Sequence, residues 1–331
     1  MTLREQTEMI EKNILSDYAC SGTDTEMTLR SRNEEKCPYR TEFQRDRDRI
    51  LHSKAFRRLK NKTQVFLSPA GDHYRTRLTH TLEVAQIART ISRCMRLNED
   101  LTETISLGHD LGHSPFGHCG EAVLNEICPY GFKHYLQSVR VAESIEKDGK
   151  GLNLTFAVKN GMECHTNRTA LTKEGNVMRL ADTIAYINHD IDDSIRAGLL
   201  SENDLPKECT DILGKSKSER ITSLVASVIA NGYDVIDFKP EIRSAHDKLK
   251  NFMFENIYTN HSAKNENKKA EIIIQRLYAY FKENTDRLPP EYKKIMDITD
   301  SDRAVCDYIA GMSDQYAIDL YMEIFIPKSW K

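Results

Sequence analysis

The sequence predicts an all-α protein, and three observations support this fold class. Apolar residues recur at helical spacing along most of the 331-residue chain. Only 15 Gly and 9 Pro are present to interrupt that spacing, and there is no repeat or low-complexity stretch. The length suits two units, or one large helical domain with an extension. We expect a polar, partly helical extension at 1–36, a core at 37–200, and a C-terminal helical region at 201–331 packed on the core.

The helical pattern is clear in 78–97 and broken in 63–77. In 78–97 the apolar residues lie three or four positions apart, as in Val84 and Ile87, which predicts an amphipathic helix. Residues 63–77 combine β-type residues with a Pro/Gly break, so we expect a short hairpin or an ordered loop there. The pattern from 221 to 325 is again helical.

A further helix is predicted after a serine and a proline. Ser114 and Pro115 are typical of the N-cap and the first helical residue. The helix that they predict runs through Glu121 and Leu124. We therefore expect this helix to begin at Pro115.

Composition and charge argue against several classes of protein. Hydrophobic residues make up 39% of the chain and charged residues 29%, which suits a protein with a packed core. The net charge of −3 implies no obligate nucleic-acid or membrane partner. No apolar run approaches the roughly 18 residues of a membrane span, and the charged N-terminus lacks the apolar centre of a signal peptide. Eight scattered cysteines without a CxxC pair favour reduced thiols in the cytoplasm over a structural zinc site.

Histidine and aspartate concentrate in three helical segments, and their spacing indicates a metal site. His80 shares a predicted helix face with Val84, His109 with Ile105, and Asp182 with Met178. Inward polar groups are costly when they lack partners. Together with Asp110, these side chains can satisfy one another by binding one cation.

The ligand types narrow the choice of metal. Two imidazoles and two carboxylates form a mixed, moderately hard set with room for open positions. Such a set suits Mn²⁺, Fe²⁺, Co²⁺, Ni²⁺ or Mg²⁺ better than a closed structural zinc site. The open positions can hold water and a phosphate oxygen.

The order H…HD…D resembles the signature of the HD superfamily of metal phosphohydrolases, and the chain is similar in particular to the deoxyguanosine triphosphate triphosphohydrolase-like proteins. The similarity extends from about residue 37 to 317. The matching stretches are FQRDRDRILHSKAFRRLKNKTQVF, RTRLTHTLEVAQIART, GHDLGHSPFGHCGE, LADTIAYINHDIDD, FMFENIY and DYIAGMSDQYA. The resemblance implies an HD-domain helical fold, with 37–200 as its catalytic core. It also implies hydrolysis of deoxynucleoside triphosphates to deoxynucleoside and tripolyphosphate.

The resemblance also assigns roles to individual residues. The metal ligands implied are His80, His109, Asp110 and Asp182. A histidine and a glutamate that serve catalysis in the family correspond to His118 and Glu121, and their spacing of three places both on one helix face. A further active-site histidine of the family corresponds to His134. The positions that contact sugar, base or phosphates in the family correspond to Gln64, Arg77, Tyr186 and Asp190. His113 has two possible roles, and the resemblance does not choose between them: it can support a metal ligand or contact the substrate.

Partners are implied by the resemblance and by one basic segment. The family resemblance implies a homo-oligomer, such as a hexamer, and regulation by a deoxynucleoside triphosphate or single-stranded DNA. Residues 40–77 contain eleven Lys/Arg against four acidic residues. These cations can hold a triphosphate or bind single-stranded DNA. The run from Arg45 to Arg49 can instead pair its own charges on an exposed helix.

Two other functions share the same metal signature or fold. An HD phosphodiesterase or guanosine-polyphosphate hydrolase would use the same H…HD…D core. The chain lacks the HHE and GYP elements of cyclic-dinucleotide phosphodiesterases, which favours the triphosphohydrolase. A catalytically silent nucleotide or DNA sensor is the third alternative, and the intact ligand set argues against it.

Overall fold

A computed structural model describes residues 1–64, 75–258 and 261–328, and these residues form an all-α protein. Within them no strand forms, and the β-type pairing consists of two isolated bridges, Arg30 with Thr155 and Thr63 with Thr76. The predicted fold class is confirmed. The predicted hairpin or loop at 63–77 lies largely outside the described residues, apart from the Thr63–Thr76 bridge.

Sixteen α-helices form in the described residues. In chain order they are α1 (Leu3–Ile14), α2 (Glu42–Leu51), α3 (Lys54–Arg58), α4 (Arg77–Cys94), α5 (Glu99–Gly108), α6 (Gly117–Ile127), α7 (His134–Arg140), α8 (Phe156–Cys164), α9 (Lys173–Arg196), α10 (Lys207–Leu213), α11 (Lys217–Asn231), α12 (Pro240–Met253), α13 (His261–Glu283), α14 (Pro290–Ile298), α15 (Ser301–Ala310) and α16 (Asp314–Phe325). Short 3₁₀ segments occur at Leu59–Asn61, Glu202–Asp204 and Thr285–Arg287, and π-helical turns at Val141–Ile145 and Phe254–Tyr258. None of the helices in the described part is long and apolar enough to cross a membrane.

The chain divides into two compact units, each built from three separate segments. The first unit contains Met1–Ile50, His80–His109 and Leu154–Asn260, and the second contains Leu51–Thr79, Asp110–Asn153 and His261–Lys331. The predicted divisions at residues 36 and 200 concern consecutive stretches of sequence and stay predictions.

The first unit is organised around the long helix α9, which packs against α5, α8 and α11. The side chain of Thr172 caps α9 by accepting a hydrogen bond from the amide of Gly175, which satisfies one of the amides left free in the first turn. Met178, Ile184 and Ile191 are fully buried. Burial of these apolar residues fixes the rotation of α9 about its axis, and with it the direction in which its polar residues point.

Close helix packing in the first unit depends on two glycines between α5 and α8. A methyl group on Gly161 would lie 2.4 Å from Ile105 Cδ1, and one on Gly108 would lie 2.8 Å from Met162 Sδ. These spacings are well below normal contact distances, so only glycine permits this approach. Gly108 and Gly161 thereby bring the C-terminal ends of α5 and α8 together.

The second unit has its own apolar core. Helix α13 packs against α6, α15 and α16, and the core between these helices contains Leu124, Ile274, Leu277 and Ile309, all completely buried. This core holds α6, which carries two of the predicted catalytic residues.

Helix α6 begins two residues later than the sequence predicts, so the interpretation of Ser114 and Pro115 as its N-cap and first residue is wrong. Phe116 and Gly117 have positive φ angles of 62° and 58°, and a helix cannot extend backwards through that left-handed backbone. The amide of Phe116 instead donates to Asp314 Oδ1 at 3.0 Å. Ser114 Oγ donates to the carbonyl of Gly117 at 3.2 Å, which closes the turn before the helix.

All eight cysteines are unpaired in the described residues, as expected for reduced thiols. The cytoplasmic location itself stays a prediction.

Candidate metal centre and active site

In the first unit, two histidines approach the same carboxylate oxygen of α9. Asp182 Oδ1 lies 3.0 Å from His80 Nε2 and 3.9 Å from His109 Nε2. Both imidazoles are 1% exposed. His80 belongs to the first turn of α4, and His109 follows the last residue of α5. The structure thus brings together three of the four residues predicted as metal ligands.

A third histidine, which the sequence did not predict, completes this cluster. His165 follows the last residue of α8 and is 3% exposed. Its ring meets the ring of His109 edge to face, with 5.0 Å between the centroids. Ligand atoms of His109, His165 and Asp182 lie within 4.8 Å of one another, because α5 and α8 approach closely through their glycines.

Backbone hydrogen bonds determine which ring nitrogen of His109 and His165 faces the cluster. His109 Nδ1 lies 2.6 Å from the carbonyl of Ser106, and His165 Nδ1 lies 2.7 Å from the carbonyl of Met162. A carbonyl oxygen only accepts, so Nδ1 carries the proton in both rings. When either ring is neutral, its Nε2 atom therefore has a lone pair, as metal coordination requires.

The electrostatics of Asp182 agree with this arrangement. Burial by itself raises the pKa of Asp182, but the hydrogen bond with His80 and the charges of His109 and His165 outweigh it and lower that pKa to about 2. The carboxylate is therefore ionised at neutral pH. An anionic oxygen surrounded by imidazole nitrogens is a donor set that fits a divalent cation.

The other two predicted residues of α9 lie beyond Asp182 on the same helix. Tyr186 is half-buried one turn later, and Asp190 is buried two turns later. Since positions four and eight residues apart share a helix face, α9 can present Asp182, Tyr186 and Asp190 to one ligand.

In the second unit, a buried arginine pairs with Asp110. Arg77 Nη1 donates to Asp110 Oδ2 at 2.8 Å, and Nη2 donates to the carbonyl of Gln64 at 3.4 Å. Arg77 is 2% and Asp110 is 3% exposed. Three predicted site residues therefore meet in this unit, and Asp110 directly follows His109 in the chain.

The predicted catalytic residues of the second unit form a second cluster around Glu121. Glu121 Oε2 lies 2.8 Å from His134 Nδ1 and 3.8 Å from His118 Nδ1. The His118 side chain is 74% exposed, whereas His134 is buried. Burial alone raises the pKa of Glu121, but the neighbouring His118 imidazole and the hydrogen bond with His134 hold that pKa well below its usual range. Glu121 thus remains ionised at neutral pH.

His113 lies against this cluster as a neutral ring. It stacks on His134, with 4.5 Å between the centroids and 20° between the planes. Burial and the charge of Arg77 lower the pKa of His113 well below its ordinary value. Gly112 permits the stack, because a methyl group there would lie 2.1 Å from the amide nitrogen of Ser138 at the first turns of α7.

The basic run at 45–49 is already paired with acidic side chains. Arg45 and Arg49 contact Glu34 at 3.4 and 2.6 Å. Arg47 contacts Asp100 and Glu103 at 2.7 and 3.0 Å. Most of these acidic partners lie outside the run, whereas the sequence predicted that the run would pair its own charges.

Comparison with protein families finds two matching models. The HD domain matches residues 77–187, which include His80, His109, Asp110 and Asp182. The phosphohydrolase-associated domain matches residues 236–323.

Comparison with curated proteins finds relatives along the whole chain. The chain is 54% identical to a deoxyguanosinetriphosphate triphosphohydrolase-like protein of Caldanaerobacter subterraneus subsp. tengcongensis, over 100% of this chain and 98% of the relative. It is 49% identical to the protein of that name in Clostridium perfringens strain 13, over 99% of each chain. A protein of that name in Bordetella pertussis is 38% identical, over 94% of this chain and 97% of the relative.

Proposed function

Because the chain belongs to the family of deoxyguanosinetriphosphate triphosphohydrolase-like proteins, we propose that it hydrolyses deoxynucleoside triphosphates, dGTP among them, to a deoxynucleoside and inorganic tripolyphosphate. The observation that carries this proposal is the convergence of imidazole nitrogens on the ionised carboxylate of Asp182 within the HD-domain match. A phosphohydrolase that acts on a highly charged substrate needs such a cation site.

The metal ligands that we propose are His80, His109, Asp110 and Asp182. The lone pair that His109 presents at Nε2 and the low pKa of Asp182 support this set. Mn²⁺, Mg²⁺, Fe²⁺, Co²⁺ and Ni²⁺ all accept mixed nitrogen and oxygen ligands with open positions. When bound, the divalent ion supplies positive charge to a phosphate oxygen and lowers the pKa of a water molecule.

The protein groups supply the proton that the leaving group needs. The 5′-oxygen of the sugar leaves poorly as an alkoxide, and a general acid accelerates such a step by about 10²–10⁴-fold. We assign this role to His118, whose side chain is 74% exposed and therefore accessible to a ligand. Glu121 lies 3.8 Å from His118 Nδ1 and is proposed to orient this ring, and His134 holds Glu121 in place through a 2.8 Å contact.

The remaining assignments concern the substrate and its regulation. Gln64, Arg77, Tyr186 and Asp190 are proposed to contact the sugar, base or phosphates. Tyr186 and Asp190 follow Asp182 on one face of α9, which supports their assignment to substrate contact. We also propose a cytoplasmic homo-oligomer, such as a hexamer, that a deoxynucleoside triphosphate or single-stranded DNA can regulate.

Product analysis tests the proposed reaction. Purified protein is incubated with each deoxynucleoside triphosphate and Mn²⁺ or Mg²⁺, and the products are resolved by anion exchange. We expect deoxynucleoside and tripolyphosphate, both abolished by a chelator and by Asp182→Asn, with Glu163→Gln as a surface control. Release of monophosphate and pyrophosphate, or absence of turnover with triphosphate mixtures and single-stranded DNA, would contradict the proposal. Binding of single-stranded DNA without turnover would favour the sensor.

A further inference from the structure

We infer that Glu83 and His189 are positioning residues that fix the ring orientation and tautomer of His80, a proposed metal ligand. His189 Nε2 lies 3.2 Å from Glu83 Oε2, and His189 Nδ1 lies 3.4 Å from His80 Nδ1. His80 Nε2, at the opposite side of its ring, lies 3.0 Å from Asp182 Oδ1. This inference rests on the proposed function, because it takes His80 as a ligand of the divalent ion.

Each of two helices contributes one proposed ligand and one positioning residue. Helix α4 carries His80 and, one turn later, Glu83, and α9 carries Asp182 and, two turns later, His189. His80 therefore contacts Asp182 and His189, while Glu83 contacts His189. The His80 and His189 rings meet edge to face, with 5.6 Å between centroids and 86° between planes. Both rings are at most 2% exposed, so water does not compete for their nitrogens.

The order of protons along this chain of contacts follows from the acceptor at its end. A carboxylate only accepts, so the Nε2 atom of His189 carries the proton directed at Glu83. The Nδ1 atom of a neutral His189 then has a lone pair and accepts from Nδ1–H of His80. A neutral His80 that donates Nδ1–H in this way has its lone pair on Nε2, as a ligand of a divalent ion requires.

His80 needs these partners because it lacks the backbone acceptor that the other two histidines use. His109 and His165 each donate Nδ1–H to a carbonyl at the end of their own helix. Since His80 lies in the first turn of α4, the free carbonyls at the helix end are remote from it. The side chains of His189 and Glu83 supply the equivalent acceptor. Such outer partners of a metal-bound histidine fix its orientation, and their loss typically weakens metal binding by about 10–100-fold.

The test measures Mn²⁺ affinity of the full chain by titration calorimetry. His189→Leu removes the acceptor for His80 Nδ1–H, and we expect about 10–100-fold weaker binding. His189→Asn places an amide oxygen near the former Nδ1 position, and we expect affinity within a few-fold of the wild type. Glu83→Gln removes the carboxylate charge and should weaken binding by a smaller factor than His189→Leu.

His246→Leu is the matched control. His246 is also 1% exposed and in the first unit, and its Nδ1 lies 3.2 Å from Asp247 Oδ1. This variant should bind Mn²⁺ as the wild type does. Wild-type affinity in His189→Leu, or an equal loss in His246→Leu, would overturn the inference. If His189→Leu does not fold, Glu83→Gln decides, and wild-type affinity in that variant would overturn it.

Failure of the proposed function gives a different pattern of results. A wild-type protein that binds Mn²⁺ but releases no tripolyphosphate contradicts the proposed reaction, while the affinity series still supports the role of Glu83 and His189. A wild-type protein that binds no divalent ion overturns both.

Discussion

Substitution of Gly112 by alanine tests how the catalytic cluster of the second unit is held. The added methyl carbon would lie 2.1 Å from Ser138 N and 2.3 Å from Gln137 C. Favourable contacts between such atoms lie near 3.5–4.0 Å, so the backbones would have to separate by more than 1 Å. The 2.9 Å hydrogen bond from the Gly112 amide to Ser138 Oγ would be lost.

The magnitude follows from these two effects. Overpacking of a buried site costs about 1–3 kcal/mol, and a lost hydrogen bond costs about 0.5–1.5 kcal/mol. We therefore expect Gly112→Ala to lower the free energy of unfolding by about 2–4 kcal/mol. At roughly 2–4 °C per kcal/mol for a unit of this size, the midpoint of thermal unfolding should fall by about 5–15 °C.

Differential scanning calorimetry measures the shift, with Gly22→Ala as the control. A methyl group on Gly22 would make only an ordinary contact, 3.4 Å from Glu11 Oε2, so this variant should unfold within about 2 °C of the wild type. Because Gly112 also places His113 against His134, Gly112→Ala should lose turnover at temperatures where it remains folded. A Gly112→Ala protein with unchanged unfolding midpoint and turnover would refute the reasoning.

Three further predictions concern the catalytic, metal and N-terminal groups. His118→Ala should bind Mn²⁺ with wild-type affinity in calorimetry and lose about 10²–10⁴-fold in turnover number, and near-normal turnover would remove His118 from the general-acid role. Asp110→Ala should lose Mn²⁺ binding and turnover together, so a metal-replete variant would contradict the ligand set. Burial and the charge of Asp100 raise the pKa of Glu11 from 4.5 to about 7. The folded state therefore binds a proton that the unfolded state has lost between these values, and stability should fall as pH rises from about 4.5 to 7. Glu11→Gln should flatten that slope in unfolding experiments across this pH range, and an unchanged slope would assign it to other groups.

The helices that carry the proposed ligands could be predicted from apolar spacing. The periodicity in 78–97 and around Met178 is strong because one face of α4 and of α9 is buried. The start of α6 could not be predicted in the same way. It depends on a hydrogen bond between Phe116 and Asp314, which is 198 residues away in sequence, and on left-handed backbone that Ser114 and Pro115 do not indicate.

Site residues that belong to a sequence motif could be predicted. Residues that reach the site only through the packing of helices could not. His80, His109 and Asp182 follow the order of a known motif, and the structure brings both histidines to one carboxylate oxygen of Asp182. His165 has no such signature, because its place beside His109 depends on the close approach that Gly108 and Gly161 permit. His109 and His165 share one local feature. Both histidines follow a helix end and bond to the carbonyl three residues earlier.

The most direct test of the proposed reaction is hydrolysis of dGTP in ¹⁸O-labelled water, with both products examined by mass spectrometry. Attack of water on the α-phosphorus places the label in tripolyphosphate and leaves the deoxyguanosine unlabelled. We predict that result with Mn²⁺ or Mg²⁺ present, and no labelled product after chelation. Label in deoxyguanosine, or label in a monophosphate released with pyrophosphate, would contradict triphosphohydrolysis by this chain.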